Sequence, residues 1–217
     1  MNLLSTEPIV ISSILLILAV AALLWAELRS YQTGIVIAKP AASTMFVVTA
    51  LLAGALSSSY GQLILFGLVL SWLGDVFLIP KRQIYFVAGL GSFLLAHLAF
   101  SGAFLFLPLD MPGLAGATIA VSIFAAFTLR WLWPHLPDKL RLAVVAYVGA
   151  ISLMVALAGG TTTAAGLSLL IGAVLFAVSD LFVARERFVQ SAVANRLWGL
   201  PLYYSAQLVF ALSIQYH

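Results

Sequence analysis

Cysteine is absent from this 217-residue chain, and charge is scarce. Without cysteine there are no disulfides, no thiolate metal sites and no Cys nucleophile. The three histidines, His97, His135 and His217, lie far apart, which gives little support for a His-rich zinc site. Only 8% of the residues are charged, against roughly 25% in a soluble domain. No connection between apolar runs is long enough to hold a soluble domain. There is no Walker loop, Ser-His-Asp triad or nucleotide fingerprint. What the chain has instead is apolar sequence, 64% of it. That composition reads as an integral membrane protein. The net charge of +3 then belongs to membrane loops and implies no nucleic acid partner.

Runs of spanning length are predicted at 8–28, 38–57, 62–79, 84–107, 113–132, 139–158, 163–184 and 197–216. A backbone in lipid must satisfy its own hydrogen bonds, and these runs are too uniformly apolar for barrel strands. The predicted fold class is therefore all-α, a single transmembrane domain of eight helices over residues 1–217. The first run has no Lys or Arg before Ile9 and has spanning rather than signal length, so it predicts a retained helix. Arg29 and Lys39 fall in the first predicted connection, and Lys81 and Arg82 in the third. Arg130, Lys139 and Arg141 fall at the fifth, and Arg185, Arg187 and Arg196 at the seventh. These are all ten basic residues. The positive-inside rule then predicts cytoplasmic odd connections and both termini outside, in a multi-pass protein of a bacterial inner membrane.

Two stretches resemble each other: Gly67 to Arg82 and Gly172 to Arg187. At an offset of 105, Gly67 pairs with Gly172, Asp75 with Asp180, and Phe77 with Phe182. Farther on, Ala96-His97-Leu98-Ala99-Phe100 resembles Ala206-Gln207-Leu208-Val209-Phe210 at an offset of 110. The pattern predicts a four-plus-four parallel repeat. Chance likeness among apolar helices is the alternative, and the first two spans of each half match poorly.

An Asp at the centre of a spanning helix costs about 2.5–3.5 kcal/mol. Asp75 precedes Lys81 by six residues, and Asp180 precedes Arg185 by five. Both acids should then lie roughly 8–9 Å below the basic layer. Tyr147, Tyr203 and Tyr204 come to a similar depth, and His97 and Gln207 should lie deeper. Two carboxyl groups in a dry pocket can divide the work of acid and base, which is what an acid/base hydrolase needs. A structural alternative stands beside this: each Asp pairs with a basic residue or a tyrosine and only fixes helix packing. His97 and Gln207 read equally as interhelical hydrogen-bonding groups. Lys39, Arg82, Arg187 and Arg196 read first as topology signals, and one or two of them could hold a phosphate headgroup.

The segments Gly74-Asp75-Val76-Phe77-Leu78, Gly89 to His97, Phe176-Ala177-Val178-Ser179-Asp180 and Tyr203-Tyr204-Ser205-Ala206-Gln207 resemble, in order and spacing, the YhhN family of membrane proteins. That family includes lysoplasmalogenases. The resemblance implies hydrolysis of the vinyl ether of a lysophospholipid substrate, giving a fatty aldehyde and a glycerophosphoethanolamine or glycerophosphocholine, with no cofactor and no metal. The two-carboxyl reading fits that chemistry, so Asp75 and Asp180 are the expected catalytic acid/base pair, with either as the acid. Lys39, Tyr147, Tyr203, Tyr204, His97 and Gln207 are the expected substrate-binding residues. A proton-coupled transporter or lipid carrier is the competing reading, since parallel repeats and intramembrane acids also suit transport.

Overall fold

The computed structural model describes residues 3–216, with side chains from residue 7 onward. Eight α-helices follow one another: α1 (Leu3–Leu28), α2 (Gln32–Leu52), α3 (Ser59–Phe77), α4 (Gln83–Phe104), α5 (Met111–Leu132), α6 (Asp138–Gly160), α7 (Gly166–Ala184) and α8 (Val193–Ser213). All eight are long and apolar enough to cross a membrane, and the chain is a multi-pass integral membrane protein. The breaks have local causes. Gly54 takes a left-handed φ of 89° after α2, where a side chain would be strained. The Ser58 hydroxyl caps α3 by accepting from the Gly61 N–H, and the Asp110 carboxylate caps α5 by accepting from the Gly113 N–H.

One expected boundary moves in a way that matters. The sequence predicts the second helix over 38–57 and places Lys39 with the first connection, at the helix start. In the structure α2 starts at Gln32 and carries Pro40 inside it. Lys39 is therefore seven residues into the helix, roughly 10 Å along its axis from Gln32. Arg196, expected in the seventh connection, sits on the first turn of α8. After α7 the chain makes five residues of π-helix, Arg185–Val189, closed by Gln190 N–H donating to the Arg185 carbonyl at 2.8 Å.

Sequential hairpins form the bundle: α1 on α2, α3 on α4, α5 on α6 and α7 on α8. Helix α8 closes it against α1, α2 and α3, and α4 packs on α6. Helix α5 stands at the periphery, with 6% of its apolar window buried against 50% for α4, α6 and α8. Positions related by the offsets of 105 and 110 make matching contacts. A Cβ on Gly67 would meet the Phe100 ring, and one on Gly172 would meet the Phe210 ring. Gly89 lies against the Gly74 carbonyl, and Gly199 against that of Ser179. Phe100 and Phe210 then pack on each other, ring centres 4.7 Å apart, in the core between α4 and α8.

Candidate active site

Asp75 lies near the end of α3 and is 2% exposed. An unpaired carboxylate there would be costly, and it is fully met. Lys39 and Ser43, one turn apart on α2, both face it. The Lys39 Nζ lies 3.3 Å from Oδ1. The Ser43 hydroxyl donates to Oδ2 at 2.6 Å, and the Tyr203 hydroxyl donates to the same oxygen at 2.6 Å. Behind them, the Tyr204 hydroxyl donates to the Lys39 carbonyl at 3.2 Å and lies 3.1 Å from Ser43 Oγ. One cation and two hydroxyl donors form the set that an ionised carboxylate accepts.

Asp180, on α7, has a different setting. Its side chain is 12% exposed. The Tyr147 hydroxyl of α6 donates to Oδ2 at 3.1 Å. His97 Nε2 of α4 approaches the same oxygen at 3.4 Å, a contact rather than a formed hydrogen bond. His97 Nδ1 lies 2.6 Å from the Phe93 carbonyl, which can only accept, so Nδ1 carries a hydrogen. A neutral imidazole would then turn its lone pair toward the carboxyl.

Each acid is thus approached by side chains from two other helices. Asp75 on α3 is met from α2 and α8, and Asp180 on α7 from α6 and α4. The Phe176 ring bridges the two sets, 4.4 Å from His97 and 5.4 Å from Tyr203. Both acids line one cavity of about 570 Å³, together with Lys39, Tyr147 and Tyr203. Its wall also takes in Gln32, Lys81 and Ser191, from the ends or connections after α1, α3 and α7. Among the described residues, none from the connections after α2, α4 or α6 lines it.

Three of the expected binding residues, His97, Tyr204 and Gln207, do not line this cavity. His97 and Tyr204 stand behind the acids, as described. Gln207 is fully buried, and among the described residues nothing hydrogen-bonds its amide. A second polar cluster, in the cavity wall, was not anticipated. Arg196 reaches Glu27 at 2.7 Å and also pairs with Glu186. Glu186 further accepts from Ser191 at 2.6 Å and Asn195 at 2.7 Å. Glu186 sits between two arginines in sequence and reads as ordinary interfacial charge. Only the fold shows that it ties the turn after α7 to α8 and, through Arg196, to α1. Among the described residues, no three His, Asp or Glu side chains converge as a metal set would require.

The YhhN family model matches residues 34–214, a span that contains both acids and the hydroxyl and basic groups around them. This chain belongs to the YhhN family. Among its relatives, a lysoplasmalogenase of Mycobacterium bovis is 39% identical over 146 residues, covering 64% of this chain and 53% of that protein. The matched part therefore spans about half the length of the mycobacterial relative. A lysoplasmalogenase of Bos taurus is 30% identical over 221 residues, covering 96% of this chain and 80% of the bovine protein. A human lysoplasmalogenase is 31% identical over 217 residues with the same coverage. No solved structure gives a significant match.

Proposed function

We propose that this YhhN-family protein is a membrane-embedded hydrolase that cleaves the vinyl ether bond of lysoplasmalogens, with Asp75 and Asp180 as its acid/base pair. The observation that carries the reading is one cavity with two acids in unlike settings. Asp75 is ion-paired with Lys39 and accepts from the Ser43 and Tyr203 hydroxyls. Asp180 accepts one hydrogen bond, from Tyr147 to Oδ2, has His97 Nε2 3.4 Å from that oxygen, and turns no hydrogen-bonded partner to Oδ1 among the described residues. From this difference in partners we assign Asp180, with the fewer donors, as the acid, and Asp75, the ion-paired one, as the fixed charge.

The chemistry follows from the substrate. A proton from Asp180 adds to the β-carbon of the vinyl ether, and the α-carbon becomes an oxocarbenium ion. The Asp75 charge stabilises that cation and orients water toward it. Water adds to the α-carbon and returns its extra proton to the acid pair. The hemiacetal then collapses by breaking its bond to the glycerol oxygen, releasing a fatty aldehyde and a free glycerol hydroxyl. Names of relatives covering up to 96% of the chain support this substrate class. A purely structural role for both acids would not explain why each faces the same cavity. The transport reading has less support, since among the described residues the cavity meets connections at one end of the bundle only. We place the protein in a bacterial cell membrane with the odd connections inside, and we read its matched halves as a four-plus-four duplication.

Hydrolysis in D₂O tests the reaction. Vinyl ether protonation puts one deuterium on the carbon next to the aldehyde. We expect that mass shift from lysoplasmalogen, and no aldehyde from the saturated ether or the ester analogue. Aldehyde without the deuterium would refute carbon protonation.

A further inference from the structure

Among the described residues four cations line the cavity: Lys39, Lys81, Arg187 and Arg196. Two are already neutralised, Lys39 by Asp75 and Arg196 by Glu27 and Glu186. Among the described residues, no carboxylate pairs with Lys81 or Arg187. Arg82, the neighbouring cation of the same connection, does not line the cavity. Arg187 is also held in place. Its guanidinium lies over the Phe86 ring, 4.5 Å from the ring centre, and donates to the Gln83 side chain. Phe86 is in turn packed edge-on against Phe188. The π-turn at Arg185–Val189 produces this division: Glu186 meets α8, and Arg187 meets α4. Such turns are frequent at functional sites.

We infer that Arg187 and Lys81 form the seat for the phosphate monoanion of the substrate headgroup, a site distinct from the acids that act on the ether. The inference rests on the lysoplasmalogen reading for the rest of the substrate. Arg187 follows Asp180 by seven residues, roughly 10 Å along the helix axis. Five covalent bonds separate the ether oxygen of a lysoplasmalogen from its phosphorus, and one hydrogen bond completes that distance. A planar guanidinium can take two phosphate oxygens at once, while Lys81 adds a point charge. The arrangement selects a phosphate-bearing lyso-lipid over the same alkenyl chain on bare glycerol.

The test compares KM for an alkenyl-glycerophosphoethanolamine and for the matching 1-alkenylglycerol, in full-length protein in detergent. Wild type should prefer the phospholipid by at least about tenfold in KM. The Arg187→Gln/Lys81→Gln variant should bring the two KM values within about twofold of each other by weakening the phospholipid, and Arg187→Lys should fall between. An unchanged KM ratio in the double variant, or an equal rise for both substrates, overturns the seat. A parallel arm needs no turnover: the saturated-ether lysophospholipid should raise the thermal midpoint of wild type and not that of the double variant. If wild type hydrolyses neither substrate, the reaction class fails while this arm still decides the seat. Inorganic phosphate that stabilises wild type as strongly as the lipid would make this a free-anion site and overturn the headgroup assignment.

Discussion

Replacing Lys39 by Met isolates the ion pair that holds Asp75. The side chains are 13% and 3% exposed, so solvent screens the pair little. At 3.3 Å and an effective dielectric near 20, the Coulomb attraction is about 5 kcal/mol. Desolvation of both charges offsets much of that when the pair forms. Removing one partner is different, because it strands the other charge and typically costs about 3–5 kcal/mol. Ser43 and Tyr203 would still donate to Asp75 Oδ2, which puts the expected loss at the lower end, about 3 kcal/mol. The assay is unfolding in mixed micelles, with Lys39→Met, Asp75→Asn and both together. The double variant should be more stable than Lys39→Met alone, with a coupling of at least about 2 kcal/mol. Losses that simply add would mean that Lys39 and Asp75 do not sense each other, and the account of Asp75 as a fixed carboxylate would be wrong.

Tyr147→Phe removes the hydroxyl 3.1 Å from Asp180 while keeping the ring. It should lower kcat for aldehyde release by about ten- to a hundredfold, with KM changed less, since one hydrogen bond to a charged group is worth about 1.5–3 kcal/mol. Gly67→Ala would place a Cβ 2.5 Å from the Phe100 ring, and Gly172→Ala one 2.9 Å from the Phe210 ring. Because those rings are fully buried against each other, each variant should lose about 1–3 kcal/mol in the same micelle unfolding assay, Gly67→Ala the more.

The spans and the two acids were legible because a membrane leaves few ways to arrange a chain this apolar. Long runs must be helices, and a charge inside one is conspicuous. Tyr203 and Tyr147 could be matched to the acids by counting residues from the basic layer. Lys39 could not, because Lys-Pro looks like the start of a helix and the structure runs α2 straight through it. That shift converts a topology signal into the partner of Asp75. Contacts between distant helices were equally hidden: Glu27 and Arg196 are 169 residues apart and meet only once α1 packs on α8. Arg187 counted as one of three loop cations until the π-turn and Phe86 set it apart from Arg185 and Arg196. The likeness of Gly67 and Gly172 was visible as letters. Its meaning, two glycines each admitting a phenylalanine ring, needed the packing.

The most direct measurement is aldehyde release from lysoplasmalogen by purified wild type, Asp75→Asn and Asp180→Asn, each shown to be folded by its elution as a single species. Two acids that share one reaction should fail together: the account predicts release by wild type and a fall of at least about 10²-fold in each variant. Full release by either folded variant would contradict the claim that this pair carries the chemistry.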